Sequence, residues 1–128
     1  MDIVTKKKLN ILIQLAEADK HFARAEREMI LKIANDRKFP EEEVNQLVRN
    51  PETIDTLGAL SNDQKFDYLV DCIDLIFADQ KVFESEVIFT KSIAIKLGFK
   101  KNVVDYLIEN SGKKPHAELK SRVFAEYW

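Results

Sequence analysis

Sliding the 128-residue sequence against itself by sixty positions aligns the two halves without a gap. Leu9 falls on Leu69, Ile13 on Ile73, Leu15 on Leu75, Ala18 on Ala78 and Asp19 on Asp79. Further along, Glu26 falls on Glu86, Ile33 on Ile93, Ala34 on Ala94, Phe39 on Phe99, Val44 on Val104 and Leu47 on Leu107. A repeat of this length implies two supersecondary units, each burying one face against the other. The halves span about residues 5–49 and 61–110, and a C-terminal helix follows over about 115–128. They are expected to pack about a pseudo-two-fold axis in one domain, so that neither folds well alone.

The periodicity within each half is helical. Leu9, Leu12, Ile13 and Ala16 follow the i, i+3, i+4, i+7 rule over about 5–18, and Ile11 and Leu15 widen the stripe. Phe66, Leu69, Val70, Ile73 and Phe77 do the same over about 61–78, with Cys72, Leu75 and Ile76 beside them. These two helices are the most apolar and should lie at the centre. Ser61 and Gln64 make an S-x-x-Q capping box for the second of them.

Other helices are expected over about 23–37, after Pro40, over 83–97 and over 101–109. Pro40 suits a first helical turn, Glu41 to Glu43 suit its dipole, and Gly98 suits a left-handed stop. Asn50-Pro51 reads as the start of a short helix carrying Ile54, Leu57 and Leu60, weakened by Gly58. The expected fold is therefore all-α, a single-domain bundle of about seven to eight helices. With three glycines and three prolines, no strand pattern competes.

Composition narrows the function classes. The net charge is −2, so lysine runs at Lys6 to Lys8, Lys100-Lys101 and Lys113-Lys114 read as solvated helix ends rather than a nucleic-acid surface. No apolar run approaches the roughly 20 residues that span a bilayer, and no signal-peptide pattern opens the chain. A lone cysteine, Cys72, on an apolar stretch suits the cytosol and an inert buried thiol.

The polar matches of the repeat are the chemically interesting ones. Asp19/Asp79 end one helix and Glu26/Glu86 begin the next, so a tight loop brings each pair together. Such carboxylates are oxygen ligands for a hard divalent cation, calcium or magnesium, with Glu17, Asp74, Glu84 or backbone carbonyls completing the shell. The same residues serve equally as local structure, because a first-turn Glu accepts loop N–H bonds and favours the helix dipole.

His21 beside Asp19 offers zinc a ligand, but its counterpart is Lys81, and both His21 and His116 read as solvent-exposed. An enzyme is not expected, since no phosphate loop, H-E-x-x-H or nucleophile elbow is present. Paired carboxylates would serve a hydrolase only beside a cleft.

The run Leu15-Ala16-Glu17-Ala18-Asp19, then Phe22, Glu26 and Ile33-Ala34, resembles the TerB (tellurite-resistance) family pattern. A second copy runs from Leu75 through Ala78-Asp79 and Val82 to Glu86, and Gly98-Phe99 resembles the family's Leu-Gly helix ending. The resemblance covers roughly residues 5 to 110. It implies a fold of about seven helices, acidic metal ligands at Asp19, Glu26, Asp79 and Glu86, and a place in tellurite or stress responses. The sequence departs from the pattern after each Asp, where Gly is replaced by Lys20 and Gln80, and at the next helix cap, which is Ala23 and Phe83.

The alternative function is a helical adaptor that binds another protein with no metal. Val87, Ile88 and Ile95 stand opposite the polar Arg27, Glu28 and Asn35, giving one helix a second apolar face. Cover by Val123, Phe124, Tyr127 and Trp128 of the C-terminal helix is the expected arrangement.

Overall fold

The computed structural model describes residues 3–18, 24–54, 57–78 and 81–128. Among them are seven helices and no strand: α1 (Ile3–Ala16), α2 (Arg24–Asp36), α3 (Glu41–Arg49), α4 (Asn62–Ile76), α5 (Glu84–Leu97), α6 (Val103–Asn110) and α7 (His116–Glu126). Helix α1 packs against α2 and α3 on one side and against α4 and α5 on another, while α4 packs against α1, α5 and α6. The breadth of the apolar stripes explains this centrality. Leu9, Leu12, Ile13, Leu15 and Ala16 of α1 are buried, as are Phe66, Leu69, Cys72, Ile73, Leu75 and Ile76 of α4.

Helix ends follow local chemistry. Ser61 and Gln64 make both bonds of the capping box at the start of α4. Helices α2 and α5 stop in the same way. Lys38 and Gly98 take positive φ values of 57° and 97°. Phe39 N–H then donates to the Ala34 carbonyl at 2.8 Å, and Phe99 N–H donates to the Ala94 carbonyl at 2.9 Å. Both are Schellman closures, and each following phenylalanine is buried in the core.

A side chain at Lys38 carries a left-handed penalty that glycine avoids. Lys38→Gly should therefore raise stability by about 1 kcal/mol, read from urea unfolding, and Gly98→Ala should lower it by about 1–2 kcal/mol. Unchanged midpoints in both variants would contradict this account.

Four expectations are corrected. No helix forms over 51–54, and Asn50 is instead the C-cap of α3. The reason lies in α1. The amide of Asn10 donates to the Glu52 carbonyl at 2.9 Å and accepts from the Glu52 N–H at 3.0 Å. Gln14 adds a donor to the same carbonyl at 2.7 Å. The backbone at Glu52 is thus satisfied by side chains and has no need of a helix. Leu57 and Leu60 still reach the core from irregular chain. Pro40, similarly, is the N-cap of α3 rather than a residue of its first turn.

Phe77, placed on the buried stripe by periodicity, is 38% exposed. Helix α4 ends at Ile76, and Phe77 is its C-cap, so the stripe no longer constrains it.

The fourth correction concerns α7. Its aromatic residues bind elsewhere than the α5 face. Phe124 meets Phe66 and Phe99, with ring centroids 6.3 and 5.5 Å apart, and Trp128 meets Phe99 at 4.9 Å. Tyr127 stacks on Tyr106 of α6 at 5.1 Å and accepts from the Lys100 N–H at 2.7 Å. Val87 is partly buried against the core, but Ile88 and Ile95 remain 60% and 58% exposed.

Candidate functional site

Glu26 and Glu86 sit in the first turns of α2 and α5, where a negative charge is favoured by the helix dipole. Both are almost completely buried, at 1% and 0% exposure. Burial of a carboxylate is costly unless other groups compensate it, so these two acids are structurally committed in a way that surface acids are not. The helix before each one closes alike. Ala18 N–H donates to the Leu15 carbonyl at 3.1 Å, and Ala78 N–H donates to the Leu75 carbonyl at 3.1 Å.

The two surroundings differ one turn further on. Position 90 is a buried threonine, one turn from Glu86 on the same face, whereas the residue one turn from Glu26 is the buried Ile30. Thr90 extends the polar lining of the second junction and was not singled out by sequence reasoning. A threonine four residues after the matched Glu, where the first half has isoleucine, was the available signal.

The remaining expected ligands, Asp19 and Asp79, lie outside the described residues, as do Lys20, His21 and Gln80. Among the described residues no group of three or more histidines, cysteines or acids is assembled around a common point. Glu26 and Glu86 alone do not complete a shell of six to eight oxygens. Glu84 and Asp74 are exposed, and His116 packs edge-on against Phe66 at 5.0 Å.

A second polar centre lies between α1 and α4, and sequence reasoning missed it. Lys8, grouped by composition with solvated lysines, is only 3% exposed. Its ammonium bonds Asp67 and lies 2.7 Å from Asp71. Arg37 approaches Asp67 at 3.7 Å. The Tyr68 hydroxyl donates to the Val4 carbonyl, and the Lys8 ammonium stands 5.7 Å from the Tyr68 ring centre.

Burial pushes the Asp71 carboxyl above its ordinary value, the Lys8 bond and charge oppose that shift, and the Asp67 charge adds to it. Asp74, nearer the surface, is also raised, by desolvation first and by Asp71 second, against His116. The Cys72 thiol is raised strongly by complete burial, which makes it unreactive. Lys8, Arg37, Asp67, His116 and Lys120 line an open cleft of about 370 Å³. Its charges are already paired, with Lys120 bonded to Asp63, so the cluster reads as a tie between α1, α4 and α7.

Comparison with protein-family models, with curated proteins and with solved structures finds no match to this chain. No helix among the described residues is long and apolar enough to cross a membrane.

Proposed function

We propose that this chain is a TerB-like, non-enzymatic module that binds a divalent cation, calcium or magnesium, within a tellurite- or stress-response system. Glu26 and Glu86 would supply buried carboxylates, and Asp19 and Asp79 would supply ligands from the junctions before them. The observation that carries the reading is the near-complete burial of two first-turn glutamates sixty residues apart. Carboxylate oxygens at two equivalent helix starts are the donor type that a hard cation takes.

The duplicated architecture belongs to the same proposal. The order α1–α2–α3 recurs as α4–α5–α6, and the paired turn bonds and Schellman closures recur with it.

Calorimetric titration with calcium, magnesium and zinc tests the function. The intact chain should bind calcium or magnesium, and Asp19→Ala combined with Asp79→Ala should weaken binding at least tenfold. Glu26→Gln with Glu86→Gln keeps the shape of the buried side chains and should weaken it comparably. Absence of any binding heat or thermal stabilisation by all three metals in the intact chain would end this reading.

A further inference from the structure

A buried threonine sets the two acidic junctions apart. Thr90 is 0% exposed in the middle of α5, and its hydroxyl oxygen meets no hydrogen-bond partner among the described residues. A helical threonine ordinarily bonds the carbonyl three or four residues before it. Ser92, on the exposed side of the same helix, makes a bond of this kind, donating to the Phe89 carbonyl at 2.6 Å. Thr90 does not. A buried hydroxyl without a partner is destabilising, and valine in its place would have the same shape without that penalty. Such a group calls for an ion or a water that satisfies it.

Its position favours an ion. Side chains four residues apart share a helix face, with Cβ atoms about 5–6 Å apart, and each leans toward the helix N-terminus. Thr90 thus covers the turn that begins at Glu86, itself fully buried in the first turn of α5. A calcium–oxygen bond is about 2.3–2.6 Å long, so one ion between the two can reach a carboxylate oxygen of Glu86 and the hydroxyl oxygen of Thr90. The first junction has no equivalent. Ile30 is buried at the matching place, one turn after Glu26, and offers only hydrocarbon.

We propose that the second junction is the stronger of two unequal cation sites, with Thr90 Oγ1 among its ligands. The inference rests on the divalent-cation reading of the glutamate junctions and adds to it a ligand and a rank order. The hydroxyl brings a neutral oxygen, so it enlarges the donor set without adding another buried charge. An Asp and a Glu alone fall short of the six to eight oxygens that calcium takes, and each further protein oxygen takes the place of a water. At the first junction an ion has one protein oxygen fewer.

Calorimetric titration of the full chain with calcium chloride, and separately with magnesium chloride, tests the proposal. The intact chain should show two classes of site, and Thr90→Val should weaken the tighter class at least about tenfold. Thr90→Ser, which restores the oxygen, should recover most of the affinity. Ile30→Thr gives the first junction the oxygen it lacks and should draw the weaker class toward the tighter one. Thermal melts separate a ligand from a structural hydroxyl. In EDTA, Thr90→Val should melt at or above the temperature of the intact chain, because it removes an unpaired buried hydroxyl. In calcium sufficient to saturate the intact chain, that order should reverse.

An intact chain that takes up neither calcium nor magnesium defeats the cation reading, and this inference with it. An intact chain that binds, with Thr90→Val binding equally tightly, leaves the cation reading standing and overturns the role of Thr90. A Thr90→Val variant that melts well below the intact chain in EDTA would overturn it too, since the hydroxyl would then have a partner within the fold.

Discussion

Lys8→Ala should destabilise the protein by about 3–5 kcal/mol, the range found when one member of a buried ion pair is removed. Lys8 lies mid-helix in α1 and reaches across to Asp67 and Asp71 of α4. Its loss leaves Asp71, whose carboxyl burial already raises, with Arg37 as a remoter source of positive charge. Two controls separate charge from packing. Lys8→Met retains most of the side-chain volume and should still lose most of the stability, and adding Asp71→Leu should recover much of it.

The pH dependence has a definite sign. A carboxyl raised in the folded state binds a proton that the unfolded chain releases, so its contribution to stability is largest below 3.8 and declines as pH rises above that value. Lys8→Ala removes the main opposing influence and should make that decline steeper. Urea unfolding between about pH 4 and 7 measures both effects. A loss under about 1 kcal/mol would place the pair among solvent-screened surface contacts.

This buried tie shows where a linear reading of the sequence stops. The helix order and the apolar stripes of α1 and α4 were legible because periodicity reports burial along a single element. The capping box at Ser61 and the stop at Gly98 were legible because each is a local backbone problem with a local solution. Lys8 was not, since nothing within its own helix distinguishes it from Lys6 or Lys7. Its partners lie 59 residues away or more on α4, and only tertiary packing brings them together.

The helix expected at Pro51 failed for a related reason. Asn10 and Gln14, one turn apart on α1, hold the Glu52 N–H and carbonyl in non-helical chain, and neither is visible from the sequence around Pro51. At the acidic junctions, the spacing of Glu26 and Glu86 in the sequence marked positions that are buried at helix starts. Thr90 escaped notice because its counterpart Ile30 is apolar, and a search for matched polar residues passes over an unmatched one.

Dividing the chain between residues 60 and 61 should abolish folding of either part, the largest effect expected for any change considered. The first part would hold α1, α2 and α3, and the second α4 to α7. Helix α1 is buried on faces that meet both α2 and α3 and also α4 and α5. Without α4 and α5, a share of Leu9, Ile11, Leu12, Ile13 and Leu15 returns to water. The converse holds for Leu69, Cys72, Ile73 and Ile76 of α4. Each large aliphatic side chain re-exposed costs about 1.5–3 kcal/mol.

A handful of such losses equals the whole stability of an ordinary domain, about 5–15 kcal/mol. A fragment of this length also buries a smaller fraction of its surface than the full chain does. Circular dichroism of either part alone should therefore show weak helix content and no cooperative melt. An equimolar mixture should regain the helical signal and a single transition, because the contact between α1 and α4 needs no covalent link. Were the 1–60 fragment to melt cooperatively near the midpoint of the intact protein, the shared core inferred from α1 and α4 would be two separate cores.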